Sequence, residues 1–144
     1  MENSVSSPTN PHRQVIGRLV RVSLASFGLQ NELAKVDTGA FTSSIHCEKA
    51  IVDGEDVLVW MTPKALKENK PLKLPLYKTK DVKSSNGSVE HRPIIQTTIQ
   101  ILGEEYPIQC SLTNRSKMRH RVLIGRRFLK HKFIVDVTLD VNAL

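Results

Sequence analysis

Lys35-Val36-Asp37-Thr38-Gly39-Ala40 carries the most information in this chain of 144 residues. An apolar run, Leu33 to Val36, leads into an aspartate followed by a hydroxyl residue and a glycine. That order suits a carboxylate held at the tip of a tight turn. The threonine hydroxyl is available to bond backbone, and the glycine lets the chain bend and leaves space beside the acid. Two carboxylates about 3 Å apart cannot both ionise, so they share one proton and titrate as a pair. The ionised member then takes a proton from an attacking water, while the protonated member polarises the peptide carbonyl and later supplies the leaving amine. The sequence holds a single Asp-(Thr/Ser)-Gly, so such a pair requires two copies of the chain with each Asp37 at a two-fold axis. Taken alone, the tripeptide also fits an ordinary strand-ending turn.

Outward from that turn, apolar and polar residues alternate with a period of two between turn signals, which predicts an all-β domain. Val20, Val22 and Leu24 alternate with Arg21 and Ser23 in a first strand. Thr42 to Ile45 and Val57 to Met61 are predicted strands, with Asp53-Gly54 as a turn between them. Thr62-Pro63 and the following Lys64 to Asn69 read either as one capped helical turn or as a polar loop. Ile95, Thr97, Ile99 and Ile101 share a face, Gly103-Glu104 is the predicted turn, and Tyr106, Ile108, Cys110 and Leu112 return on that face. A second hairpin runs from Tyr77 to Ser84, turns at Ser85-Asn86-Gly87 and comes back from Val89. Its tip is too polar to bury and must project. A short helix is predicted over Gly125 to Lys130 and a last strand over Phe133 to Val137.

The bulk properties fit a single domain over residues 15–144 after a loose polar tail at 1–14, rich in Ser, Asn and Pro. The tail lacks the charged start and apolar stretch of a secretion signal. No apolar run approaches the roughly 18 residues of a membrane helix. Cys47 and Cys110 make no disulfide framework, and reduced thiols in a cytoplasmic protein are the expectation. The formal charge of +7 favours acidic partners, or serves solubility. Arg115 to Lys132 also contains Lys117, Arg119, His120, Arg121, Arg126, Arg127 and Lys130, a possible nucleic-acid footprint. Only Phe128 adds an aromatic ring there, and apolar Val122-Leu123-Ile124 splits the cluster, so a solvated face is preferred over nucleic-acid binding.

The order of the blocks carries a resemblance. An apolar strand, Asp-Thr-Gly-Ala, a projecting hairpin, a strand pair, and Leu123-Ile124-Gly125-Arg126 before a short helix resemble the retropepsins. These are small aspartic peptidases that work as homodimers, and the likeness runs from about Val15 to Leu139. More closely, the chain resembles the bacterial and archaeal retropepsin-like family labelled ATP-dependent zinc proteases, often encoded with ATP-grasp glutamate ligases. That likeness rests on residues 35–40 with Thr42-Ser43-Ser44 and His46, and on Val82 to Gly87 with Glu90 and Arg92 to Ile95. It continues in Leu112 to Arg115 with Met118, and in residues 123–126 with Val135-Asp136.

The resemblance implies a closed acid-protease β-barrel with one short C-terminal helix. It implies Asp37 as the catalytic carboxylate, Thr38 and Gly39 as its turn, and Ala40 with the flap tip Ser84, Ser85, Asn86 and Gly87 against substrate. Ile124, Gly125 and Arg126 would support the loop from beneath. It further implies a homodimer hydrolysing peptide or isopeptide-like bonds, with acidic or glutamate-modified proteins as candidate substrates. A catalytically silent dimer that binds peptide by strand addition is the alternative. Viral retropepsins place an acid two positions after the glycine, paired with the later arginine. Here that place is Phe41, so Arg126 is expected to find another carboxylate or the dimer mate. Zinc and ATP are not expected: there is no His-Glu-x-x-His and no phosphate loop, and the adjacent His46 and Cys47 would point to opposite faces of a strand. No cofactor and no metal ligand are therefore assigned.

Overall fold

The computed structural model describes residues 13–83, 85–114 and 119–141. Alternation along β2 (Leu19–Leu24) buries Val20, Val22 and Leu24, and the strand runs antiparallel to β3 (Leu29–Val36), which ends at Asp37. After the Asp37 loop comes β4 (Ser43–His46). The long hairpin of β9 (Val89–Ile101) and β10 (Glu104–Thr113) pairs Ile99 with Tyr106 and Ile95 with Cys110, so both strands bury the predicted face. Its turn is Leu102-Gly103, one residue earlier than predicted, with positive φ at both positions (52° and 81°), as a two-residue hairpin turn needs.

The strand β11 (Val122–Ile124) is inserted between β3 and β4, parallel to the first and antiparallel to the second. Buried on both faces, it reads as an unbroken apolar triplet rather than an alternation. The order β10-β4-β11-β3-β2-β9, closed by the β9–β10 pairing, makes a six-stranded barrel. Threading β11 in this way puts residues 124–126 directly beneath the Asp37 loop.

Outside the barrel, β5 (Lys49–Asp53), β6 (Asp56–Trp60) and β7 (Leu72–Pro75) form a small antiparallel sheet. Between β6 and β7 the open reading resolves as a helix, α1 (Pro63–Glu68). Thr62 Oγ1 accepts from the Ala65 N–H at 3.0 Å, Pro63 fills the first turn, and Asn69 closes it at φ 52°. It adds a second short helix to α2 (Arg126–Leu129), the one expected near the C-terminus. β8 (Lys78–Lys83) lies on the outer half of β9 and forms the projecting hairpin. β1 (Gln14–Ile16) starts inside the expected tail and runs parallel to β12 (Phe133–Val135). The rest of that tail, residues 1–12, lies outside the described residues. β12 stops two residues before the predicted end, where the Asp136 carboxylate accepts from the Thr138 N–H at 2.9 Å and turns the chain. Edge-to-face contacts of Tyr106 with Phe128 (5.7 Å) and Phe133 (5.6 Å) fix α2 and β12 against the barrel. No helix of the described residues is long and apolar enough to cross a membrane.

Cys47 and Cys110 are free thiols, each 1% exposed. Burial first, and Glu48 second, push the Cys47 thiol from its ordinary value of 9.0 up to about 11; burial alone takes Cys110 to about 12. Both stay neutral near physiological pH, so neither is expected to react with iodoacetamide until the chain is unfolded by denaturant. Both folded values lie above the unfolded one, so this contribution is complete below pH 9.0 and is lost as pH climbs through about 11 and about 12. Mass spectrometry of alkylated native protein tests the packing, and urea midpoints on either side of pH 9.0 test the linkage. Rapid labelling of either native thiol contradicts both.

Candidate active site

Backbone bonds fix the Asp37 turn from two sides. Its N–H donates to the Ile124 carbonyl at 2.8 Å, and its own carbonyl accepts from the Ala40 N–H at 3.2 Å. The carboxylate Oδ1 accepts from the Gly39 N–H at 2.9 Å, which orients the acid without a second side chain. A Cβ on Gly39 would stand 3.3 Å from that same oxygen, so glycine keeps the space beside the carboxylate open. Thr38, expected to lock the turn through its hydroxyl, is exposed, and its carbonyl accepts from Arg126 Nη1. The start of α2 holds the far side of the loop: the Arg126 N–H donates to Ala40 O at 2.8 Å and the Arg127 N–H to Phe41 O at 3.0 Å. The Gly125 N–H donates to Ser43 Oγ at 2.9 Å.

Within the described residues of this chain, Arg126 reaches a backbone carbonyl and an aromatic ring in place of a second carboxylate. Its Nη1 donates to the Thr38 carbonyl at 3.1 Å, and the guanidinium lies 5.9 Å from the centre of the Phe41 ring. Phe41 thus replaces the missing acid by presenting a π face, and the arginine still braces the turn.

An open cleft of about 430 Å³ lies in front of Asp37. Ala40, Phe41 and Thr42 form one wall, and Leu123, Ser44 and Ser111 form the floor. Lys80, Asp81, Val82 and Lys83 of β8, with Arg92 of β9, form the facing wall. The shaft of the projecting hairpin therefore lines the cleft. Its tip residues Ser85, Asn86 and Gly87, predicted to meet substrate, are exposed and outside that lining. The tip is ordered by Asn86 Oδ1, which accepts from the Ser88 N–H at 3.0 Å and its hydroxyl at 2.8 Å, and Gly87 supplies a φ of 90°. Ser84 lies outside the described residues. Asp81 is hydrogen-bonded to the His91 ring across the hairpin, and Arg92 is ion-paired with Glu90 along it.

A single acid on a braced turn, a strand threaded beneath it and a hairpin bent over it agree with the comparisons to known proteins. The family model described as "Retropepsin-like aspartic endopeptidase RimB" matches residues 15–143. The chain belongs to the RimB-like family. Its curated relatives include a probable alpha-L-glutamate ligase of Shewanella halifaxensis, 30% identical over 128 residues, and one of Parasynechococcus marenigrum, 31% identical over 129. Each alignment covers 85% of this chain but only 28% of the ligase, so the chain spans little more than a quarter of those relatives' length. Among solved structures, Lpg0085 of Legionella pneumophila, described as of unknown function, matches with a TM-score of 0.67 and 21% identity. That match covers 90% of this chain and 97% of the other, and it supports the fold alone.

The zinc implied by the sequence resemblance finds no fitting set of donors among the described residues of the RimB-like chain. The His46 ring pairs with Glu48 at 2.9 Å, and the neighbouring Cys47 thiol faces the core in its neutral form. Among the described residues no three His, Cys, Asp or Glu side chains gather. The basic stretch is also divided: Arg126 sits on Phe41, Lys132 lies 4.9 Å from the Phe128 ring centre, and Arg115 and Lys117 fall outside the described residues.

Proposed function

We propose that the chain is an aspartic endopeptidase that acts as a homodimer and hydrolyses peptide or isopeptide-like bonds in acidic protein substrates. The hydrogen-bonded presentation of Asp37 at the base of a flap-covered cleft carries this reading. Two such turns facing each other hold one proton between their carboxylates. The ionised Asp37 draws a proton from water, the water oxygen bonds to the carbonyl carbon, and the other Asp37 protonates the leaving nitrogen as the C–N bond breaks. The exposed Thr38 and the 54% exposed Phe41 ring beside the acid support an interface at this place. The apolar pair Val15 and Ile134, register partners on β1 and β12 that are 46% and 48% exposed, offers a partner chain further apolar surface.

Lys80 and Lys83 outnumber Asp81 on the flap wall, where Arg92 is paired with Glu90, which supports an acidic substrate. Relatives named as glutamate ligases support a glutamate-modified protein as its source. Two reduced thiols suit a cytoplasmic setting. The test is cleavage of unstructured glutamate-rich peptides, followed over a range of enzyme concentrations alongside sedimentation. Specific activity is expected to rise with the dimer fraction. Peptide binding without turnover at any pH, acid included, would leave a silent binder in its place, and activity from a strictly monomeric chain would exclude the paired site.

A further inference from the structure

We infer that Ser44, with Ser111 beside it, forms the floor of a subsite that reads a carboxylate-bearing side chain of the substrate next to the bond cut at Asp37. This rests on the peptidase reading above. Leu123, Ser44 and Ser111 stand side by side on β11, β4 and β10, since the register pairs Leu123 with Ser44 and Ser44 with Ser111. Strand alternation sends their neighbours Val122, Ile124, Ile45, Cys110 and Leu112 into the barrel core. The three therefore face the other way, into the cleft under the hairpin.

Ser44 is 3% exposed and Ser111 5%, yet their hydroxyls are served differently. Ser111 Oγ donates to the Ser43 carbonyl at 3.4 Å, and the adjacent Ser43 Oγ accepts from Gly125. The Ser44 hydroxyl has no hydrogen-bond partner among the described residues. A buried hydroxyl without a partner destabilises the chain that carries it, and an alanine or valine would pack the same floor more favourably. A ligand that engages the hydroxyl removes that penalty. A carboxylate is its complement: acceptor-only, it takes a hydroxyl proton at its base while Lys80 and Lys83 supply countercharge from the wall, where Arg92 is already paired with Glu90. Asp81, the acid on that wall, is already held by His91.

Two peptides that differ only beside the scissile bond, glutamate in one and methionine in the other, decide the matter. They are offered to the wild-type chain, Ser44→Ala and Ser44→Val, and kcat/KM is measured. Binding of the same peptides is measured by calorimetry in the Asp37→Asn background, where no turnover is needed. The wild type is expected to favour glutamate in both readouts. Ser44→Ala should lose about tenfold on the glutamate peptide, the size of one charge-assisted hydrogen bond, and Ser44→Val should invert the preference. Ser44→Ala should also raise the Tm by about 2–5 °C, because it deletes a buried unpartnered hydroxyl. A glutamate-to-methionine ratio indifferent to both substitutions overturns the subsite, even where cleavage proceeds and the peptidase reading stands. Binding whose ratio tracks Ser44 without any cleavage sustains the subsite and removes the peptidase. A wild-type chain that binds neither peptide overturns both.

Discussion

Asp37→Asn is expected to lower peptide hydrolysis by about 10⁴-fold or more, the scale on which essential catalytic groups are lost. The fold should barely register the change. An asparagine Oδ1 still accepts from the Gly39 N–H, and the Ile124 bond is made by backbone, so the substitution trades a charge-assisted hydrogen bond for a neutral one, a difference of about 1 kcal/mol. What separates a shared pair from a lone acid is mixing. In a dimer of one wild-type chain with one Asp37→Asn chain, no proton is shared between carboxylates, so the heterodimer is inactive as well. Adding excess Asp37→Asn chain to wild type should therefore suppress activity well below the value set by dilution. Undiminished wild-type activity under those conditions excludes a site built from two subunits, and turnover by the pure variant excludes Asp37 as the acid.

Much of this site was legible because it is local. Asp37-Thr38-Gly39 announces a turn wherever it occurs, and the alternation of Ile95, Ile99 and Ile101 with solvent-facing residues specifies both the strand and the face it buries. The strands that escaped sequence reading lack that contrast. β5 is largely exposed along its length, β7 ends on a proline, and β1 has three residues and a parallel partner more than a hundred positions away. Long-range pairings escaped for the same reason. Nothing near Phe41 indicates that its ring faces Arg126, and the two come together only because β11 threads between β3 and β4. The polar residues Lys80 to Lys83 were legible as a hairpin too hydrophilic to bury. That their shaft, rather than the tip, lines the cleft depends on how β8 and β9 lean over the barrel. Ser44 was hidden most completely. Read as one residue of a strand and of the Thr42-Ser43-Ser44 block, it has no role until Leu123 and Ser111 are placed on either side of it.

Gly125→Ala should damage stability and activity together, for a reason unrelated to backbone freedom. Gly125 has φ −97°, a value open to any residue, so alanine meets no conformational objection. The objection is contact: an added Cβ would lie 2.8 Å from the Phe41 carbonyl oxygen and 2.8 Å from the Thr42 carbonyl carbon. Both are backbone atoms of the loop that follows Asp37, and neither can rotate aside as a side-chain end would. Relief requires moving the loop or the start of α2, which strains the Arg127 bond to Phe41 and the Gly125 bond to Ser43. The expected destabilisation is about 2–4 kcal/mol, read from urea midpoints. A displacement near 1 Å at the carboxylate should cost about 10²-fold in kcat/KM even in molecules that remain folded. Gly54→Ala supplies the contrast. That glycine has φ +64° with nothing within 4 Å of a built Cβ, so alanine there carries left-handed strain of about 1–2 kcal/mol and no steric push on Asp37. It should lose stability and keep activity. A Gly125→Ala chain that matches wild type in both measurements would mean that the loop does not rest on residue 125, and the support described for Asp37 would have to come from elsewhere.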